Sequence, residues 1–437
     1  MSMPAPAPAD AVEEIRSLAR PLRASEDLDQ LLDRIGEARF VLLGEASHGT
    51  AEYYGWRAAI TKRLIAERGF DFVAVEGDWP DCFRVNRWVK NRDDQDRTAR
   101  EELWDFERWP TWMWANEEVA AFIDWLRQHN LTTKRSVGFF GLDVYSLWDS
   151  MHAVLSYLES QHPHVLDAAR QAYRCFQPYA EDPQRYAWAT RMVPSDCEDE
   201  VIALLIDLRR HASMLDGDPE AALDAMQNAE VLAGAERYYR TMMRADHESW
   251  NVRDCHMADT LDRLVAHHGP RAKSIVWAHN THVGDARATD MARAGMVNIG
   301  QLVRERHHRD GVVLVGFGSN QGTVIAAGEW GGRIERLPVP AAPAGTYEQL
   351  LHDAWGAPGL FVFAADAGAR WLRAVRGHRA IGVVYRPRHD RYGNWVPTIL
   401  GRRYDAFCYL DETSALHPLH GELPRPHAEQ ETFPWNS

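Results

Sequence analysis

Short, unbroken apolar runs alternate with amphipathic stretches along the first third of the chain, and the spacing of apolar positions changes between them. Helices are predicted over residues 11–22 and 27–35. ARFVLLGEASHGT then reads as a buried strand that breaks into a Gly-containing loop. From 51 to 68 the apolar Trp56, Ile60 and Leu64 recur every fourth residue, and Gly69 supplies a helix stop. FDFVAVEGDWP is a second strand, punctuated by Glu76, Gly77, Asp78 and Pro80 before an amphipathic helix near 81–89. Further units end in VGFFGLDVY, SIVWAHNTHVGD and GVVLVGFGSNQG. Strands this apolar, separated by helices, are covered on both faces, which predicts a layered α/β fold with a mostly parallel sheet flanked by helices.

From 147 to 264 the strand pattern gives way to helical runs such as DPEAALDAMQNAEVLAGAERYYRTMMRAD, so a large helical insertion or lid is expected between strands of one sheet. The expected division is a flexible Ala/Pro-rich tail at 1–12, a helical insertion at 147–264, and an α/β core at 13–146 and 265–437. GFGSNQG reads as a tight turn. After Thr323 the segments GLFVFAA, AIGVVYRP and AFCYLDE read as shorter strands, with one helix near 347–355, and no repeat of fixed period is present.

Charge changes the picture mainly by exclusion. The 437 residues carry 49 basic and 63 acidic side chains, a formal −14, which repels phosphate backbones and anionic lipid, so neither nucleic acid nor a membrane is an expected partner. No signal-peptide pattern and no apolar stretch near 18 residues is found, and a cytoplasmic location is expected. Cys82, Cys175, Cys197, Cys255 and Cys408 are scattered and form no C-x-x-C pair, so they read as small core residues rather than a disulfide framework or a thiolate zinc site.

In open α/β sheets ligands bind beyond the carboxyl ends of the strands, and four strand ends carry chemistry: Glu45 with His48, Glu76 with Asp78, Asp143, and His279 with His282. An imidazole such as His48 takes a proton from water near neutral pH when a carboxylate, Glu45 or Glu76, fixes its tautomer. His48 is expected to project into a cleft. His279 and His282 are oxyanion donors, leaving-group acids or metal ligands by residue type. Asn280 beside them is an oxyanion donor or a structural loop amide. Arg57, one turn beyond Tyr53, is a clamp for a carboxylate or a surface ion pair, and Arg253 is the functional candidate in WNVRDCHMADTL, whose Met257, Leu261 and Leu264 form a core stripe. Trp104, Trp109, Trp112 and Trp114 offer either an aromatic substrate wall or sheet-edge packing. No G-x-S-x-G elbow, Walker A or dinucleotide motif is present.

VLLGEASHGTAEYYGWR, FVAVEGDWPD, FGLDVYS, WNVRDCHMADTL and IVWAHNTHVGD together resemble the erythromycin esterase family, over about residues 31–411. The resemblance implies hydrolysis of a small-molecule ester or lactone by water that a histidine matching His48 activates, with no covalent nucleophile, resident metal or cofactor. Positions matching Glu45, Glu76, Arg57, His279 and His282 complete the implied site, and Asp78, Asp143, Arg253 and Asn280 are expected to border the substrate. A metal hydrolase using His48, His279, His282 and a carboxylate, and a haem or ligand binder without catalysis, are the competing readings.

Overall fold

The computed structural model describes residues 9–92, 96–161, 166–179, 183–192, 196–211, 219–242, 247–363 and 369–421. Its strands are β1 (Arg20–Pro21), β2 (Phe40–Leu43), β3 (Phe72–Val75), β4 (Gly138–Gly141), β5 (Ser274–Trp277), β6 (Val312–Ala327), β7 (Ile334–Val339), β8 (Gly359–Val362), β9 (Val375–Arg379), β10 (Trp395–Ile399) and β11 (Ala406–Thr413). The main sheet runs β1-β8-β11-β6-β2-β5-β3-β4, with β7 paired to β6. Every pair from β11 to β4 is parallel, whereas β8 joins β1 and β11 antiparallel and β7 joins β6 antiparallel. The mostly parallel α/β class expected from the apolar runs is what forms.

Side chains alternate along each strand, so one strand feeds two cores. Val41, Leu43, Val73, Val75, Ile275 and Trp277 pack on one face with the helices Ala51–Arg68 and Glu117–Thr132. Phe40, Leu42, Phe72, Ala74 and Val276 pack on the other with Met257, Leu261 and Leu264 of the helix Glu248–His268. A third core belongs to the helices Leu147–Gln161, Leu166–Phe176, Pro183–Met192, Glu198–His211 and Pro219–Met242. Helix Glu248–His268 joins the two layers: Val252 lies in the helical core and Met257 in the sheet core. Among the described residues no helix is long and apolar enough to cross a membrane.

Several local expectations change. The first helix is Ala9–Leu18, taking residues 9–12 from the expected tail, since no proline follows Pro8 until Pro21 and Ile15 is buried; residues 1–8 of that tail lie outside the described residues. GFGSNQG is not a turn but the middle of β6. A Cβ at Gly316 would meet the Tyr404 ring at 2.6 Å, so glycine there accommodates a packed aromatic rather than a reversal. AIGVVYRP makes isolated bridges, Ser47 with Ile381 and Ala327 with Val384, while the adjacent β9 pairs with β10. The expected GLFVFAA strand ends at Val362, and its last two residues, 364 and 365, lie outside the described residues. Cys175 and Cys197 form a disulfide, contrary to their reading as simple core residues: helix packing brings together two cysteines that sequence spacing leaves unrelated.

Candidate active site

β2, β3, β4 and β5 end level with one another, Leu43 and Val75 each beside Trp277 and Val75 beside Gly141. Residues just past these ends therefore gather at one edge of the sheet, as the crevice rule anticipates. Gly44 makes the convergence possible, because a Cβ there would fall 2.1 Å from Asn280 Oδ1.

His48 Nδ1 lies 2.9 Å from Glu45 Oε1, and Glu45 Oε2 accepts from Arg57 Nη2 at 2.8 Å. The carboxylate takes the Nδ1 proton as its hydrogen bond, which leaves the lone pair of neutral His48 on Nε2. Arg57 is no surface residue. It is fully buried, and its guanidinium stands over the rings of Tyr54 at 4.2 Å and Trp277 at 5.0 Å. Burial and the nearby Glu45 push the Tyr54 phenol well above its ordinary value, so the ring meets this cation as a neutral aromatic.

His279 caps the short helix Asn280–Val283, and its ring centroid is 4.8 Å from that of His48. Its Nδ1 accepts from the Thr281 N–H at 3.3 Å, which puts the proton of neutral His279 on Nε2. Burial, with His48 and His282 adding like charge, holds His279 well below the usual imidazole range. It is a neutral N–H donor.

His282 is its electrostatic opposite. Nδ1 lies 3.0 and 2.9 Å from the two oxygens of Asp254, and Nε2 lies 3.4 Å from Glu76 Oε1. Burial disfavours the imidazolium, but Asp254 and Glu76 together raise it above the ordinary value. Arg253 Nη1, 3.2 Å from the same Nε2, works against that charge. The raised direction prevails because two carboxylates face one guanidinium that is itself engaged by Asp143 and Glu76. Burial pushes the Asp254 carboxyl up, and His282 and Arg253 pull it back toward ionisation.

Arg253 forks onto Asp143, Nε to Oδ1 at 2.9 Å and Nη2 to Oδ2 at 2.7 Å, and Nη2 also reaches Glu76 Oε1 at 2.8 Å. Burial opposes ionisation of Asp143, yet Arg253 brings it down to about 2. Burial likewise opposes ionisation of Glu76, and His282, Arg253 and His48 hold it below the usual carboxylate range. The other Glu76 oxygen accepts the His279 backbone N–H at 2.7 Å, so β3 and the loop after β5 are tied through one side chain.

The structure thus brings together nine of the ten expected residues around linked networks. Asp78 sits at their margin, paired with Arg108, and burial raises its carboxyl. Asn280 is the exception. Its Nδ2 donates to Phe317 O at 2.6 Å and its Oδ1 accepts from Phe317 N at 3.3 Å, so it fastens the loop to β6. Two residues had no role assigned from the sequence: Asp254, which follows the Arg253 that drew attention, and Trp250, one turn earlier, whose ring stacks on His282 at 4.5 Å and 8°.

A narrow cleft of about 40 Å³ opens onto Glu76, Asp78, Asp143 and Arg253, walled by Phe106, Met113, Trp114, Tyr145 and Trp330. None of the three histidines lines it: His48 is 3% exposed, and His279 and His282 are 1% exposed. The loop that carries His48 is fastened on both sides of it, Ile381 N donating to Ala46 O at 2.8 Å and Ile325 N to Gly49 O at 2.9 Å, so the histidine expected to project into a cleft is buried instead. Of the four tryptophans, Trp114 lines the cleft and Trp109 and Trp112 pack edge to face in the core, whereas Trp104 is half exposed. Among the described residues no group of three or more His, Cys, Asp or Glu side chains is arranged to hold a metal ion. Glu45 and Glu76 have their oxygens committed to Arg57, His48, Arg253 and a backbone N–H.

Residues 65–413 match the family model described as erythromycin esterase. The Bacillus subtilis (strain 168) protein YbfO, named as a hydrolase, is 22% identical over 419 residues, which is 90% of this chain and 89% of that protein. A crystal structure of a succinoglycan biosynthesis protein superposes with a TM-score of 0.74 at 23% identity, covering 93% of this chain and 98% of the other. A mutant of the erythromycin esterase EreC, in its open conformation, superposes with a TM-score of 0.65 at 16% identity over 90% of this chain and 95% of that one. At these identities the superpositions establish a shared fold.

Proposed function

Since the chain belongs to the erythromycin esterase family, we propose that this hydrolase cleaves an ester or lactone of a small molecule with water activated by His48, and without a covalent nucleophile. The buried Glu45–His48 pair carries the reading. Glu45 is held by Arg57 and in turn holds His48 Nδ1, leaving Nε2 to act as the base. His279, neutral and carrying its proton on Nε2, donates to the oxyanion that forms when water adds to the carbonyl. His282 delivers a proton to the departing alkoxide. Glu76 and Arg253 position these groups, Asp143 anchors Arg253, and Asp78 with Trp114 and Tyr145 borders the substrate. Because His48 is buried and does not line the cleft, the site must open when substrate enters.

The products balance: water and an ester give an acid and an alcohol. His48 gains the proton that water loses and His282 loses the proton the alkoxide gains, so one proton returns through solvent to close the cycle. A panel of small esters and lactones tests the proposal, assayed with and without a strong chelator alongside metal analysis of the purified protein. Chelator-resistant hydrolysis that His48→Ala abolishes supports it. Stoichiometric metal with chelator-sensitive activity turns the histidines into ligands and overturns the mechanism.

A further inference from the structure

From the geometry around His282 we infer that Asp254 and Trp250 are positioning residues: they lock the ring with its proton on Nδ1, so that Nε2 alone gains and loses the proton exchanged with substrate. The inference rests on the hydrolytic reading above and adds to it how the acid is reset.

Three observations converge. First, both oxygens of Asp254 lie within 3.0 Å of Nδ1, and Oδ1 also accepts the Ile299 N–H at 2.9 Å, so the carboxylate is itself fixed in place. A carboxylate so held keeps a proton on Nδ1 in both charge states of the ring. Second, Trp250 stacks nearly parallel on the ring and donates its Nε1–H to Val297 O at 2.8 Å, which fixes the plane in which Nε2 moves. Third, Nε2 meets two partners of opposite preference. Glu76 Oε1 at 3.4 Å favours the protonated ring, and Arg253 Nη1 at 3.2 Å donates to the lone pair once the proton has gone.

Nε2 therefore has a partner before transfer and another after it. When the C–O bond of the tetrahedral intermediate breaks, its electron pair leaves on the alkoxide oxygen, which takes the Nε2 proton, and Arg253 stabilises the neutral ring left behind. The charged and titratable groups around this site are Asp254 and Arg253 on helix Glu248–His268, Glu76 after β3, Asp143 after β4 through Arg253, His48 after β2, and His279 one turn back. Burial and these neighbours leave His282 with a raised affinity for its second proton.

The test is pH titration of ring ¹⁵N signals in full-length, histidine-labelled protein: wild type, Asp254→Asn, and His282→Gln to assign the resonances. Wild type is expected to keep Nδ1 protonated throughout and to titrate at Nε2 above the ordinary imidazole range. In Asp254→Asn the Nε2 midpoint should fall by about one pH unit or more, and the alkaline limb of kcat should move with it while KM holds. An unchanged midpoint and tautomer in Asp254→Asn makes Asp254 a structural tether and overturns the inference. If that variant does not fold, wild type decides: a neutral ring protonated on Nε2 overturns the inference, and one protonated on Nδ1 supports it. A wild type that hydrolyses no ester yet shows the predicted titration sinks the functional reading while leaving the positioning claim standing. The reverse pattern does the opposite.

Discussion

Two buried histidines with a carboxylate on Nδ1 behave in opposite ways. His282 is held by Asp254 at 2.9 Å, and His378, in β9 behind the His279–His282 loop, by Glu348 at 2.6 Å. Both are essentially inaccessible to solvent. Yet His282 is raised, while burial pulls His378 down, with Glu348 insufficient to restore it and Arg403 adding to the loss. The difference is the second nitrogen. His282 Nε2 faces another carboxylate, Glu76, whereas His378 Nε2 meets the Asn280 amide at 3.2 Å and the Tyr404 hydroxyl at 3.3 Å, both able to donate to a lone pair. One carboxylate makes a buried imidazole a strut. A second makes it an ionisable group poised for chemistry.

The largest expected effect falls outside that pair, on the base. His48→Ala should lower kcat by roughly 10²–10⁴-fold in protein that remains folded by circular dichroism; comparable turnover would remove His48 from the mechanism. Next, Glu76→Gln and Glu348→Ala should separate the two regions. Glu76→Gln is expected to cost about 10²-fold in kcat and to lower the His282 midpoint. Glu348→Ala should instead cost about 1–3 kcal/mol of stability and leave the pH–rate profile in place, read by denaturant melts beside kinetics.

The pH dependence of stability should also split. His282, raised in the fold, contributes fully below about 6.5, the ordinary imidazole value, and its contribution is lost as pH rises through its folded value. His378, depressed, contributes fully above about 6.5, and its contribution is lost as pH falls toward its folded value. Melting curves of His282→Gln and His378→Gln against wild type should therefore diverge on opposite sides of neutrality. The smallest effect on activity belongs to the helical layer: reducing Cys175–Cys197 should leave kcat unchanged while lowering stability by about 2–4 kcal/mol or less, and a change in kcat would couple that layer to the site.

Much of the candidate site was legible because strands buried on both faces must end in loops, and polar residues immediately after VLLG, FVAV, FFGL and IVWA stand out against an apolar background. What escaped was relational. Asp254 looks like an ordinary helix residue until its helix packs on the loop after β5, and Trp250 looks like one more core tryptophan until its ring lies on His282. Asn280, open between two roles in the sequence, takes the structural one: the adjacent β6 edge offers Phe317's backbone donor and acceptor, and the amide satisfies both. Glycines of β6 misled for a similar reason: GFGSNQG carries turn residues whose use is to admit Tyr404, which no local pattern reveals.

If water activated by His48 attacks the substrate carbonyl without a covalent intermediate, single-turnover hydrolysis of an accepted ester in ¹⁸O-water, followed by mass analysis of product and protein, should give one labelled oxygen in the product carboxylate and none in any protein side chain. An acylated protein, or label appearing in Glu45, Glu76 or another carboxylate with unlabelled product, would contradict it.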